Sequence, residues 1–146
     1  MSWCSGLGRA AVMVAVLLAL SCSSTPTAPS PDLRGGVVAT FAVGSEQFKI
    51  FVTNTEAIAQ LIALRQGAGG LAKIPNGRIH RGAGAGNHNA PYSWHLDPSD
   101  IEITALTIEL CDGAPSYVEA NVGDYVDTIK RYCPWGARLE SLADYR

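Results

Sequence analysis

The chain has 146 residues, a formal net charge of −2, and 11 Lys/Arg against 13 Asp/Glu. No basic cluster is visible, which argues against nucleic acid as a partner, because phosphate binding needs Lys and Arg in number. The length allows one domain with one core, and no internal repeat is visible.

Arg9 is the only charge among the first 30 residues, and Ala10–Leu20 is an apolar run of 11. Such a run is too short for a membrane-spanning helix, which takes about 20 residues. It suits the hydrophobic core of a secretory signal. The run ends in Ala19-Leu20-Ser21-Cys22, where small residues suit a signal peptidase. Residues 1–22 are therefore expected to be a lipoprotein-type signal, with Cys22 lipidated and joining the protein to a membrane. Ordinary secretion, with Cys22 a spare thiol, is the alternative. Each buried CH₂ of a lipid contributes about 0.8 kcal/mol, so more than one chain is needed for firm anchoring. Residues 23–36 open with Ser23-Ser-Thr-Pro-Thr-Ala-Pro-Ser-Pro31, which has no large apolar residue and reads as an extended linker.

Of four cysteines, Cys4 leaves with the signal and Cys22 is assigned to the lipid. Cys111 and Cys133 remain as an even pair in an oxidising compartment and are expected to form a disulfide. A reduced pair is one alternative and a shared metal another, the latter unsupported by any CxxC or HxxxH spacing.

Residues 37–146 are expected to form one α+β domain: a small antiparallel sheet, two helices and the disulfide. Val37, Ala39, Phe41 and Val43 alternate with other residues, as do Phe48, Ile50 and Val52, and Gly44-Ser-Glu-Gln47 lies between. That pattern predicts a β-hairpin. Thr53, Asn54 and Thr55 offer helix-capping oxygens, Ala57, Ile58, Leu61 and Ile62 follow at helical spacing, and Gly67 supplies a stop. Gly is then dense, in 67–70 and again in 82–86. Neither stretch leads from a strand into a helix, as a phosphate cradle would, so a flexible surface loop is expected. Ile74-Pro-Asn-Gly-Arg-Ile79 reads as a turn into a short strand.

Ile101–Leu110 is rich in β-branched residues and reads as a strand. Ile101 and Ile103 mark one face, Leu106, Ile108 and Leu110 the other, with a bulge expected near Thr104-Ala105 or burial of both faces. Pro115 suits the first position of a helix. Val118, Val122, Tyr125, Val126 and Ile129 continue it at helical spacing, until Pro134 stops it. Ala137–Leu142 is a candidate last strand.

Tyr92, Trp94 and Leu96 point one way from a strand, and Ser93, His95 and Asp97 the other. The second set resembles a Ser-His-Asp triad in composition only. Same-face neighbours on a strand are roughly 6–7 Å apart, whereas nucleophile and base need about 3 Å. Asp97-Pro98-Ser99-Asp100 reads instead as a turn capped by the Asp97 carboxylate.

Several separated motifs, Ile74–Ile79, Tyr92–Pro98, Glu109–Gly113, Val118-Glu119 and Cys133-Pro-Trp-Gly-Ala-Arg-Leu139, together resemble the N-terminal domain family named after an amoebal calmodulin-binding protein, over about residues 37 to 142. The 82–86 loop is richer in Gly than that pattern, and Gly136 stands where Ser is expected. The resemblance implies an exported α+β domain with a Cys111–Cys133 pair and gives no catalytic mechanism.

Two classes of function remain. The first is a surface binding module, with a face of Trp94, His95, Asp97, Trp135 and the Gly-rich loop, since aromatics with a few polar groups make good anchors. Its partner would be an extracellular protein or small ligand. Core packing of both Trp residues is the alternative. A protease inhibitor with an exposed reactive loop would be a variant of this class. The second class is a metal-dependent hydrolase using His95 with Asp97, Asp112 or Glu119. The binding module is preferred, at the cell envelope or secreted, with no catalytic residue, metal or cofactor assigned.

Overall fold

The computed structural model describes residues 31–68 and 70–146. The expected signal, the lipidated Cys22 and linker residues 23–30 lie outside the described residues. Leu33, within a three-residue 3₁₀ turn at Pro31–Leu33, is buried against Val38 and Phe51. The folded unit thus begins a few residues before the boundary read from sequence.

The domain is α+β, with two small antiparallel sheets. Strands β1 (Val37–Val43) and β2 (Glu46–Val52) form the expected hairpin, with Val43 opposite Glu46. Only Gly44 and Ser45 lie between them. Gly44 has φ 60°, the positive value that the first central residue of a tight hairpin turn requires. Strand β7 (Ala137–Asp144), two residues longer than expected, covers the other edge of β1 and gives the order β2-β1-β7. The register of β1 and β7 shifts between Thr40 and Phe41, leaving Glu140 as the extra residue of a bulge.

Helix α1 (Thr55–Arg65) is framed as its sequence dictates. The Asn54 side-chain oxygen accepts from the amides of Glu56 and Ala57 at 2.9 and 3.3 Å. At the other end Gly67 has φ 77°, and the amides of Ala68 and Gly67 donate to the carbonyls of Ala63 and Leu64. That pairing satisfies carbonyls that the helix end would otherwise leave free.

The second sheet departs from expectation. Ile74–Arg81 is strand β3 throughout, with no turn inside it, and it pairs with β4 (Trp94–Leu96), β5 (Glu102–Thr104) and β6 (Arg131–Tyr132). Gly77 fits because a Cβ there would come within 3.2 Å of Leu96 and Ile101. Between β4 and β5 the chain loops out. Asp100 stitches the gap by accepting the Arg78 amide at 2.9 Å and the Arg131 guanidinium at 3.0 Å.

Two further expectations are corrected. The strand read over Ile101–Leu110 ends at Thr104, and Glu109–Cys111 is a 3₁₀ turn. The helix beginning at Pro115 is α-helical only to Ala120 (α2). Asp124–Ile129 then winds as a wider π-helical segment, and Lys130, at φ 64°, ends it before β6. Pro134 is therefore not the stop. The Cys111–Cys133 disulfide is present, with Cα atoms 5.2 Å apart, and it packs against Ile74 and Ile129.

The main core lies where β1, β2, α1 and the second sheet meet. Its centre is aromatic. Phe48 sits 5.8 Å from Phe41, 5.9 Å from Trp94 and 5.3 Å from Tyr132, between ring centroids. Each such side chain stabilises the fold by about 1.5–3 kcal/mol through burial. The Tyr132 hydroxyl donates to the Gly113 carbonyl at 3.0 Å, and burial pushes its pKa well up.

Candidate functional site

The residues chosen from sequence fall in two separate places. Trp94 is fully buried, stacked 5.3 Å from Tyr92 and edge-on to Tyr132. It belongs to the core and cannot contact a partner. This corrects the expected face: the alternation of Tyr92, Trp94 and Leu96 directs Trp94 and Leu96 inward.

His95 and Asp97 stand on a polar edge. The Asp97 carboxylate accepts from the amide of Ser99 at 2.9 Å and from its hydroxyl at 2.7 Å. These bonds, followed by His80 at 3.6 Å, hold its pKa below the ordinary carboxylate value. Asp97 thus caps the turn. His95 Nδ1 lies 2.8 Å from the Gly82 carbonyl. The acids considered as catalytic partners are engaged elsewhere. Glu119 accepts the Ser93 amide at 2.8 Å, and Asp112 accepts the Trp135 amide at 2.9 Å. Among the described residues, no three His, Cys, Asp or Glu side chains are arranged to hold a metal.

All three histidines of the chain gather beside the Gly-rich loop. The His95 ring lies 5.7 Å from His80 and 6.1 Å from His88. His88 and Asn89 are buried. The Asn89 carboxamide accepts the Lys49 amide and donates to the Trp94 carbonyl, each at 2.8 Å. His88 Nδ1 is 2.9 Å from the Ala85 carbonyl, and burial is the main cause that lowers its pKa. Gly84, at φ 78°, leaves room for this ring. The Gly-rich segment thus lies at the surface, tied down through the carbonyls of Ala83 and Ala85 to the buried Asn89 and His88.

The second place holds Trp135, chosen from sequence as a binding residue, with aliphatic neighbours that were not read as part of a site. Leu106, Ile108 and Leu110 are exposed to 85%, 67% and 63%, and Trp135 to 41%. Trp135 forms a wall common to two cavities. One, of about 170 Å³, is completed by Ile74, Ala105, Leu106 and Thr107. The other, of about 430 Å³, includes Leu64, Lys73, Ala137 and Arg138. The disulfide ties the two segments of this face together, because Cys111 follows Leu110 directly and Cys133 directly precedes Pro134-Trp135. The periodicity of Leu106, Ile108 and Leu110 was legible in the sequence. Its meaning was not, because the strand ends at Thr104 and Leu110 lies in a 3₁₀ turn, so alternate spacing there does not mark an inward strand face.

These features define a small disulfide-linked α+β domain with an exposed apolar patch and, apart from it, a histidine-bearing polar edge. The sequence profile of the BP-74 N-terminal domain, the family named after an amoebal calmodulin-binding protein, matches residues 36–145. The chain belongs to that family. No curated protein and no solved structure matches it.

Proposed function

We propose that this chain is an exported interaction module that binds its partner through the apolar face of Leu106, Ile108, Leu110 and Trp135. It is displayed at the cell envelope on the Ser/Pro-rich linker, held there by lipidated Cys22, or released as a secreted form. The observation that carries the binding role is the exposure of Leu106, Ile108 and Leu110 in one short segment, of which Leu106 shares a cavity with exposed Trp135. Single exposed apolar residues are ordinary; a contiguous group marks a contact surface. Each would gain about 1.5–3 kcal/mol on full burial. A metal-dependent hydrolase has less support, since His95, Asp97, Asp112 and Glu119 each hold a different part of the backbone. A protease inhibitor presenting the Gly82–Gly86 loop also has less support, because that loop is tied down by His88 and Asn89.

Photocrosslinking in the producing cell tests the face. A benzophenone side chain at position 110 should give a defined adduct, and one at Ser99, on the polar turn, should not. Equal crosslinking at both positions would overturn the assignment. In the same cells Cys22→Ser should move the protein out of the membrane fraction; retention there would remove the anchor.

A further inference from the structure

Cationic, aromatic and aliphatic side chains meet around Trp135. Lys73 and Arg138 line the larger cavity with Trp135, and Trp135 then shares the smaller cavity with Leu106 and Ala105. Ile108 and Leu110 continue the chain from Leu106 and are likewise open to water. A bilayer surface offers a partner for each: anionic phosphates for the cation, the interfacial zone that Trp favours, and acyl chains for the aliphatic side chains. Arg138 is held at 2.6 Å by Glu140, whereas Lys73 makes no ion pair among the described residues. Lys73 is therefore the cation most available to a phosphate. Glu109, exposed between Ile108 and Leu110, opposes entry and stays in the headgroup layer.

We propose that the occupant of this face is a lipid surface carrying anionic headgroups, engaged by the folded domain itself and independently of any lipid on Cys22. Leu106, Ile108 and Leu110 enter the acyl boundary, Trp135 sits at the interface, and Lys73 meets a phosphate. No helix among the described residues is long and apolar enough to cross a membrane, so this contact is shallow. The proposal rests on the reading of the same face as a binding surface.

The test uses residues 31–146, a span that carries both sheets, the disulfide and every residue of the described core. It excludes the apolar run at 10–20 and Cys22, which would bind vesicles for other reasons. Its two tryptophans are Trp94, fully buried, and Trp135. A change in emission on adding vesicles therefore reports Trp135.

Vesicles of phosphatidylcholine with a minority of phosphatidylglycerol should co-sediment the domain, shift its emission to the blue and shield Trp135 from acrylamide. Pure phosphatidylcholine should bind several-fold more weakly, and Lys73→Gln should abolish most of that difference. Leu106→Ser and Ile108→Ser should each weaken partitioning about tenfold, while thermal unfolding without lipid stays that of the parent. Absence of co-sedimentation and of any emission change in the parent overturns the proposal. If the crosslink at position 110 to a protein persists in that case, a protein is the occupant and only the lipid assignment falls. If the crosslink is also absent, the binding face itself falls. A dimer formed without vesicles and abolished by Leu106→Ser assigns the face to a second copy and likewise overturns the lipid.

Discussion

Replacing Gly84 with Ala separates two costs that usually come together. Gly84 has φ 78° and ψ −178°, a region closed to side chains at a cost of order 1–3 kcal/mol. An added Cβ would also lie 2.2 Å from His88 Cε1 and 2.8 Å from its Nδ1. That ring is buried and held on the Ala85 carbonyl, so it cannot swing aside freely. Displacing it forfeits a hydrogen bond of about 1 kcal/mol and disturbs the contact with Phe51, 6.1 Å away. The total expected for Gly84→Ala is about 2–4 kcal/mol. Gly82, at φ 91°, has nothing within 4 Å of its added Cβ, so Gly82→Ala carries only the backbone cost of about 1–2 kcal/mol. Urea unfolding followed by fluorescence should put Gly84→Ala about 2 kcal/mol below Gly82→Ala, with equal slopes. Equal midpoints for the two variants would refute the idea that His88 is a rigid neighbour.

The remaining predictions concern the disulfide and pH. Replacing both Cys111 and Cys133 with Ala, which opens a link across 22 positions, should destabilise the domain by about 3 kcal/mol. Amide exchange should quicken over residues 106–111 more than in β1 and β2, and uniform quickening would contradict local bracing. Burial lowers the His88 pKa below its ordinary 6.5, so the unfolded chain takes up the proton first. The stability this neutral ring supplies is full above pH 6.5 and is lost as the pH falls below it. For one proton the slope is at most about 1.4 kcal/mol per pH unit. Asp97, whose depressed pKa starts from 3.8, loses its contribution only at more acidic pH. His88→Phe should flatten the change in urea midpoint between about pH 7 and pH 5; an unchanged slope would assign the dependence to another group.

Local chemistry explains which elements were readable. The hairpin needs alternation and Gly44, and α1 needs Asn54 and Gly67. All of these act within a few residues of the chain. The interior of β3 could not be read that way. Gly77 and Pro75 argue for a turn until one knows that Leu96 and Ile101 press on Gly77, which is a tertiary fact. The break in the second helix has a similar origin. Its apolar spacing holds past Ala120, yet the backbone widens to a π-helical segment before Lys130 reverses. At the site, Cys111 and Cys133 were identifiable from compartment and number. Trp94 and Trp135 could not be sorted, since aromatic side chains serve cores and surfaces alike. The polar sequence around His95 and Asp97 looked chemical and proved to be the hydrogen bonding of a turn and a loop.

The pairing of β1 with β7 also governs how the domain is made. Val37 pairs with Asp144, and just outside them the Gly35 amide donates to the Tyr145 carbonyl and the Tyr145 amide to Gly36. The first strand therefore waits for the last. Until β7 emerges, the β1–β2 hairpin has an open edge and the aromatic rings of Phe41 and Phe48 are without their full cover. Pairings between such distant segments slow folding, because the long loop must close before any contact rewards it. A chain made from its N-terminus completes this sheet only after nearly all of the domain is available. The sheet is therefore completed late, with its native β1–β7 pairing absent until the last strand is available.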